Sequence, residues 1–290
     1  MNRIPEIDWN RVDALIQMAL EEDLGDRGDT TTNSVIDDSL IVDAVFLAKE
    51  DCICCGLNVA ERLMKTVDPS IVWENLVKEG DFCKKGTIMA KVSGKARSLL
   101  TGERTALNFM QRLSGSATAA HRYQEAAGDK SVILDTRKTT PGWRNLEKYA
   151  VAVGGAQNHR IGLFDRIMIK DNHRELAGLG GTGGILRSVE RARKQYPDLE
   201  VEVEIDSLAE LPEALESKAE YILLDNMSTA DMAEAVRITA HRAKLEASGN
   251  MTLPRIPEVA ETGVDFISVG ALTHSVKSAD ISMDILSKRS

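Results

Sequence analysis

In the stretch DWNRVDALIQMALEEDL (8–24), apolar side chains recur at Val12, Leu15, Ile16, Ala19 and Leu20. That three-and-four spacing is one face of a helix. Asp8 is placed to cap its start and Gly25 to end it. IVDAVFLAKE (41–50) reads as a strand and LNVAERLMKTV (57–67) as a helix. Between 78 and 96, Gly80, Gly86 and Gly94 interrupt short alternating runs, the pattern of small antiparallel strands with tight turns. SLLTGERTALNFMQRL (98–113) then offers Leu99, Leu100, Leu107, Met110 and Leu113 as a buried helix face. Ser114-Gly115-Ser116 is expected to break that helix and to mark a domain boundary, with 1–114 before it and 115–275 after it.

Beyond residue 115 the pattern changes. Short apolar runs at 132–135, 166–169, 201–205, 221–225, 244–248 and 265–269 alternate with helical segments near 145–154, 184–195, 208–217, 229–243 and 255–262. Strand–helix alternation over this length predicts a parallel sheet, either doubly wound or closed into a barrel. Each run ends in polar or glycine residues: Asp135-Thr136-Arg137-Lys138, Lys170-Asp171-Asn172-His173, Glu204 to Asp206, Asp225-Asn226, Ser248-Gly249-Asn250 and Gly270-Ala271. A (β/α) barrel gathers all such edges at one mouth, whereas a doubly wound sheet uses only one crevice. No GxGxxG follows a strand. Six polar edges in succession therefore favour the barrel.

The edges divide by charge. Arg137 and Lys138 lie just past a strand end, with Arg160 and Lys170 at later loops. Guanidinium forks match planar carboxylates and ammonium groups add point charge, so the set suits a dicarboxylate ligand; salt bridges to Glu147, Asp165 and Asp171 are the plainer alternative. Glu202, Glu204 and Asp206 share one strand face by alternation, and Asp225 ends the next strand. Carboxylates so placed can hold Mg²⁺ with a phosphate completing its shell, while Asp206 is equally a cap for the helix that follows. The Ser248-Gly249-Asn250 and Gly270-Ala271 edges suit close backbone approach to phosphate, as loops after the last barrel strands commonly do, or are tight turns without a ligand. His159 in GGAQNHR either meets an anion, shuttles protons or pins its loop. Lys148 and Arg144 are expected as solvated helix charges, and Trp143 either covers the mouth or packs.

Charge sharpens this picture. The chain has 36 Lys/Arg against 45 Asp/Glu, a formal net of −9, which argues against broad nucleic-acid binding. Yet residues 130–175 hold nine Lys/Arg and five Asp/Glu, a basic island with His159 and His173 inside it. Cys52, Cys54, Cys55 and Cys83 form no CxxC pair and have no His beside them, so buried free thiols are expected rather than zinc. There is no apolar run of 18 residues, and MNRIPEIDWN lacks the charged start and apolar core of a secretory signal. The expectation is a cytoplasmic protein with no membrane partner. Carboxylates, phosphates and a divalent ion together fit transfer of a phosphoribosyl group to a carboxylated acceptor; an aldolase or isomerase of sugar phosphates fits the same spacing.

The segments LLTGERTALNFMQRLSG (99–115), DTRKTTPG (135–142), EKYAVAVGGAQNHRIGLFD (147–165), IKDNH (169–173), VEVEIDSLAEL (201–211), LLDN (223–226), EASGN (246–250) and ETGVDFISVGALTHSV (261–276) resemble the quinolinate phosphoribosyltransferase family over nearly the whole chain. The resemblance implies an N-terminal open α/β sandwich, rejoined by 276–290, and a C-terminal incomplete (β/α) barrel carrying the active site. It implies a reaction of quinolinate with phosphoribosyl pyrophosphate (PRPP) and Mg²⁺ to give nicotinate mononucleotide, pyrophosphate and CO₂, and a homodimer or hexamer. By motif, Thr136, Arg137, Lys138, His159, Arg160 and Lys170 correspond to quinolinate-binding positions, with Arg104 donated by a neighbouring subunit. Glu204 and Asp225 correspond to metal and ribose ligands, and Ser248, Gly249, Asn250, Gly270 and Ala271 to phosphate loops. Lys138, Lys170, Glu204 and Asp225 are the expected catalytic set. Trp143 and Ala156 depart from the family pattern, and both are expected to border the acceptor pocket. The rivals are the molybdenum-transport-associated relatives of the same fold, with another acceptor, and a non-catalytic nucleic-acid binder. With aromatics at 4% and none interleaved with the basic loops, the binder would stack bases poorly.

Overall fold

A computed structural model of the chain describes residues 4–289. It divides into two compact units: 1–121 with 140–155 and 275–290, and 122–139 with 156–274. It pairs an N-terminal sheet domain with a C-terminal parallel-strand α/β domain.

In the first unit, helix α1 (Trp9–Leu24) starts where Asp8 accepts the Arg11 amide and buries Val12, Ile16 and Leu20. A short α2 (Thr30–Val35) follows, capped by Asp29 accepting the Thr32 amide at 2.9 Å. Strand β1 (Ile41–Ala48), β2 (Cys52–Ile53), helix α3 (Leu57–Val67), β3 (Val72–Asn75), β4 (Phe82–Cys83) and β5 (Ile88–Lys95) come next. The last strand, β12 (Ile281–Arg289), completes a sheet of order β12-β1-β5-β3, antiparallel throughout. β2 pairs β4 separately. Phe46 of β1 packs with Leu63 and Met64 of α3 in the core. The four cysteines are free and buried.

Helix α4 (Ala96–Ala127) corrects the expected break. It runs on through Ser114-Gly115-Ser116 without interruption. The Ser114 hydroxyl donates to the Cys55 carbonyl and accepts the Cys55 amide, both at 3.0 Å, so it is satisfied without competing with the helix. Gly115 is needed for close packing: a Cβ there would lie 2.4 Å from the Lys277 carbonyl oxygen. Helix α5 (Arg144–Val153) also belongs to this unit. Lys148 on it is buried, not solvated as expected. Trp143, just before α5, stacks on Phe109 with centroids 4.8 Å apart.

The second unit alternates β6 (Val132–Leu134), β7 (Ile167–Ile169), α6 (Asp171–Leu176), α7 (Gly184–Gln195), β8 (Val201–Ile205), α8 (Leu211–Glu216), β9 (Tyr221–Asp225), α9 (Thr229–Thr239), β10 (Lys244–Ser248), α10 (Ile256–Ala260), β11 (Phe266–Ser268) and α11 (Ala271–His274). The sheet order is β6-β11-β10-β9-β8-β7, every pair parallel. β6 and β7 are edges, so the sheet is not closed. It does curl. Gln157 bridges Leu134 beside β6, yet His159, two residues on, contacts Glu202 of β8 and Glu246 of β10. A flat sheet would hold those strands apart. Asp206 does not cap α8, which begins five residues later behind Glu210.

Candidate active site

Parallel strands put all six carboxyl ends on one side, and there a cavity of about 590 Å³ opens. Its lining residues come in i, i+2 pairs, as a pleated strand facing inward requires: Met168 on β7 and Lys170 just past its end, Leu223 and Asp225 on β9, Glu246 and Ser248 on β10. Glu204 of β8 and Ser268 of β11 complete the strand contribution. Thr136, Arg137, Lys138, His159, Arg160, Asn226, Gly249 and Asn250 enter from the loops. A groove of about 630 Å³ lies between α1 and α3, but its two cations, Arg62 and Lys65, are already paired with Asp13 and Glu61. It gathers no unsatisfied charge.

Most expected site residues therefore meet in one cavity. Arg104, exposed on α4, does not line it. Nor do Gly270 and Ala271, although a Cβ on Gly270 would lie 3.1 Å from Lys138 Cδ, so this glycine lets the lysine stem pass. Trp143 and Ala156 do not border the cavity either; Trp143 packs on Phe109 and Ala156 is buried. Glu202, which shares the inward parity of Glu204, is buried beneath the cavity. Sequence reasoning missed Glu246, Ser268, Met168 and Leu223. Period-2 parity would have found Glu246 from Ser248, and Ser268 from Gly270.

Within the cavity, the Lys170 ammonium donates to Glu204. Asp225 accepts the Asn226 side-chain amide at 2.8 Å. Arg160 donates to the Arg166 carbonyl at 3.0 Å, fixing its guanidinium. Burial, then the charge of Arg137, presses Arg160 below its ordinary pKa. Two guanidinium groups held together this way are stabilised by an anion. The 248–250 edge is pinned by Arg255, which donates to the Gly249 carbonyl at 3.0 Å and the Met227 carbonyl at 3.2 Å.

The floor is a buried polar cluster. Asp135 accepts the Asn158 side-chain amide at 2.7 Å and the His159 amide at 2.8 Å. His159 Nε2 lies 3.0 Å from Glu202 and 3.3 Å from Glu246, and Ser268 donates to Glu246. Burial, then the Glu246 charge, raises Glu202 to about 7. Glu246 is lowered although burial opposes it, because His159 and Ser268 hold its ionised form. For His159, burial pushes the pKa down and the two carboxylates outweigh it, to about 9. Against that, the Arg160 amide donates to Nδ1 at 2.7 Å and needs a lone pair there. This contact decides for a ring with its proton on Nε2.

Glu204 and Asp225 supply hard oxygen donors on adjacent strands at the cavity wall, the donor chemistry Mg²⁺ takes when phosphate and water complete its shell. Among the described residues, no helix is long and apolar enough to cross a membrane.

Comparison with known proteins fits this architecture. Residues 29–114 match the family description "Quinolinate phosphoribosyl transferase, N-terminal domain" and residues 116–284 "Quinolinate phosphoribosyl transferase, C-terminal domain". A quinolinate phosphoribosyltransferase [decarboxylating] of Nicotiana tabacum is 45% identical over 287 residues, covering 93% of this chain and 81% of the relative. A probable nicotinate-nucleotide pyrophosphorylase [carboxylating] of Synechocystis is 42% identical, covering 96% and 94%. The solved structure of NadC from Streptococcus pyogenes aligns with a TM-score of 0.92 at 38% identity, covering 99% of this chain and all of that one.

Proposed function

The chain belongs to the quinolinate phosphoribosyltransferase family, and on that premise we infer that it transfers the phosphoribosyl group of PRPP to quinolinate, with loss of CO₂, to give nicotinate mononucleotide and pyrophosphate for NAD biosynthesis. One observation carries this reading: Arg137, Lys138, Arg160 and Lys170 face the same cavity as Glu204 and Asp225.

On this reading the work divides as follows. Arg137 and Arg160, with Lys138 and Lys170, neutralise and orient the two acceptor carboxylates, with Thr136 beside them. The pyridine nitrogen then points toward the wall formed by β8 and β9. Glu204 and Asp225 hold the ribose of the donor and would hold Mg²⁺, which supplies charge neutralisation to the departing pyrophosphate. Ser248, Gly249 and Asn250 offer backbone to phosphate, with Gly270 and Ala271 beside them. As the ring nitrogen bonds to the ribose carbon, positive charge moves from an oxocarbenium-like centre onto the pyridinium. Fixed carboxylates and cations stabilise that redistribution without reorganising. The pyridinium charge then stabilises the electron pair that departing CO₂ leaves on the adjacent ring carbon, and a proton from water takes up that pair to give nicotinate mononucleotide. No enzyme nucleophile is required.

The reading extends to a homodimer or hexamer in which Arg104 of a second copy completes the acceptor site; its exposure on α4 supports this. It extends also to the cytoplasm, supported by four unpaired buried thiols. Purified protein given quinolinate, PRPP and Mg²⁺ should release CO₂ and nicotinate mononucleotide together, and chelation of Mg²⁺ should stop both. Product with chelator present would remove the metal from the account. Mixing Arg104→Ala with Arg137→Ala protein should restore activity that neither has alone, if sites are shared.

A further inference from the structure

His159 is usually read as a ligand contact when it lies in a basic pocket. Its surroundings here assign it differently. Nδ1 accepts the amide of Arg160, and Nε2 points to Glu202 and Glu246 at 3.0 and 3.3 Å. Nδ1 is thus bonded within the protein, and Nε2 lies within ion-pair distance of both carboxylates. Glu202 is fully buried and Glu246 is 1% exposed, an arrangement whose desolvation cost must be offset by nearby partners such as the His159 ring. Ser268 orients Glu246 by donating to it, and Arg166 stands 3.8 Å from Glu202. The same histidine begins the turn that carries Arg160, and Asp135 anchors its backbone.

These three side chains also offer one ligand atom each within 4.8 Å, the pattern of a buried cation site. A metal on Nε2 would need a lone pair there and the proton on Nδ1. Nδ1 already accepts the Arg160 amide, so the ring is set as a donor to the carboxylates.

We propose that Glu202 and Glu246 are positioning residues: they hold the His159 imidazole through its Nε2–H and so fix the loop that presents Arg160 to the carboxylated acceptor. The proposal rests on the acceptor reading given above. Glu246 reaches the cavity surface, whereas Glu202 acts only from beneath.

The test has two parts. In wild-type protein carrying ¹⁵N-labelled histidine, the His159 ring, assigned by comparison with His159→Gln, should show a protonated Nε2 and an unprotonated Nδ1; a proton on Nδ1 overturns the proposal, and so does a stoichiometric bound metal that Glu202→Gln and Glu246→Gln remove while Glu204→Gln retains it. In kinetics, Glu246→Gln and Glu202→Gln should each raise the quinolinate KM about tenfold or more while the PRPP KM stays within about twofold. The effect should vanish when either is introduced into His159→Gln, because all act through one ring. Equal rises in both KM values, or full additivity with His159→Gln, would reduce the acids to core residues. If wild-type protein made no product from quinolinate, the functional reading would fall while the histidine tautomer would still stand or fail by the spectrum.

Discussion

The Lys170 ammonium donates directly to the Glu204 carboxylate, joining the cationic side of the cavity to its acidic wall. Lys170 sits at the end of β7 and Glu204 on the neighbouring β8, so the pair spans the two wall strands. The lysine serves two ends in this account: it neutralises an acceptor carboxylate and limits the negative charge at the metal-side wall. Lys170→Ala should therefore lower kcat/KM for quinolinate by about 10²- to 10³-fold, with the protein still folded by circular dichroism. A change under threefold would mean that the lysine only balances Glu204.

Gly249 makes the 248–250 edge of the cavity possible. Its φ is +95°, and a Cβ there would lie 2.1 Å from Asn226 Oδ1 and 2.9 Å from the Asn226 backbone nitrogen. Asn226 in turn bonds Asp225. Gly249→Ala should cost about 2 kcal/mol of stability by urea titration and raise the PRPP KM more than the quinolinate KM. A variant as stable and active as wild type would show that the loop tolerates the added methyl group.

Glu147 holds a turn in the first unit. It is fully buried and accepts the Thr140 amide at 3.0 Å, the Thr140 hydroxyl at 2.9 Å and Arg112 at 2.7 Å. Removing this carboxylate leaves the Thr140 amide and hydroxyl without their acceptor and Arg112 without its ion pair, so Glu147→Ala should cost about 3 kcal/mol in urea unfolding. Glu147→Gln, which keeps acceptors for the Thr140 amide, should cost less than half of that.

Glu79 gives a pH dependence. Burial raises its pKa from the ordinary 4.5, against the amides of Gly56 and Asn58 that favour its charge. The folded value lies above the unfolded one, so on raising the pH the unfolded chain releases this proton first. The stability it contributes is whole below the unfolded value and is lost as pH climbs through the folded value. Urea midpoints at pH 5 and pH 8 should therefore fall more in wild type than in Glu79→Gln. An equal fall in both proteins would assign the slope to other groups.

Much of the active unit was legible in sequence because a strand's carboxyl end needs only local pattern to recognise. Arg137, Lys170, Glu204, Asp225 and Ser248 all follow short apolar runs, and all line the cavity. What escaped depends on distant partners. Ser114-Gly115-Ser116 reads as a break, but Cys55 satisfies the serine and the 277–278 backbone needs the glycine, so the helix continues. Lys148 reads as a solvated helix charge and is buried. Glu246 sits in a run that reads as ordinary strand; its role appears only when β8, β10 and the His159 loop are brought together by the curl of the sheet. The family resemblance returns 276–290 to the first unit, but the strand β12 within it is defined only by pairing with β1 at the other end of the chain.

The central claim is that the basic cluster recognises two carboxylates, not one. The most direct measurement is kcat/KM for quinolinate against nicotinate, with PRPP and Mg²⁺ fixed, in wild type and in Arg137→Ala. A site built to pair a second carboxylate should prefer quinolinate by about 10³-fold or more, and Arg137→Ala should erase most of that preference. Comparable rates with nicotinate, or a preference untouched by Arg137→Ala, would contradict the account.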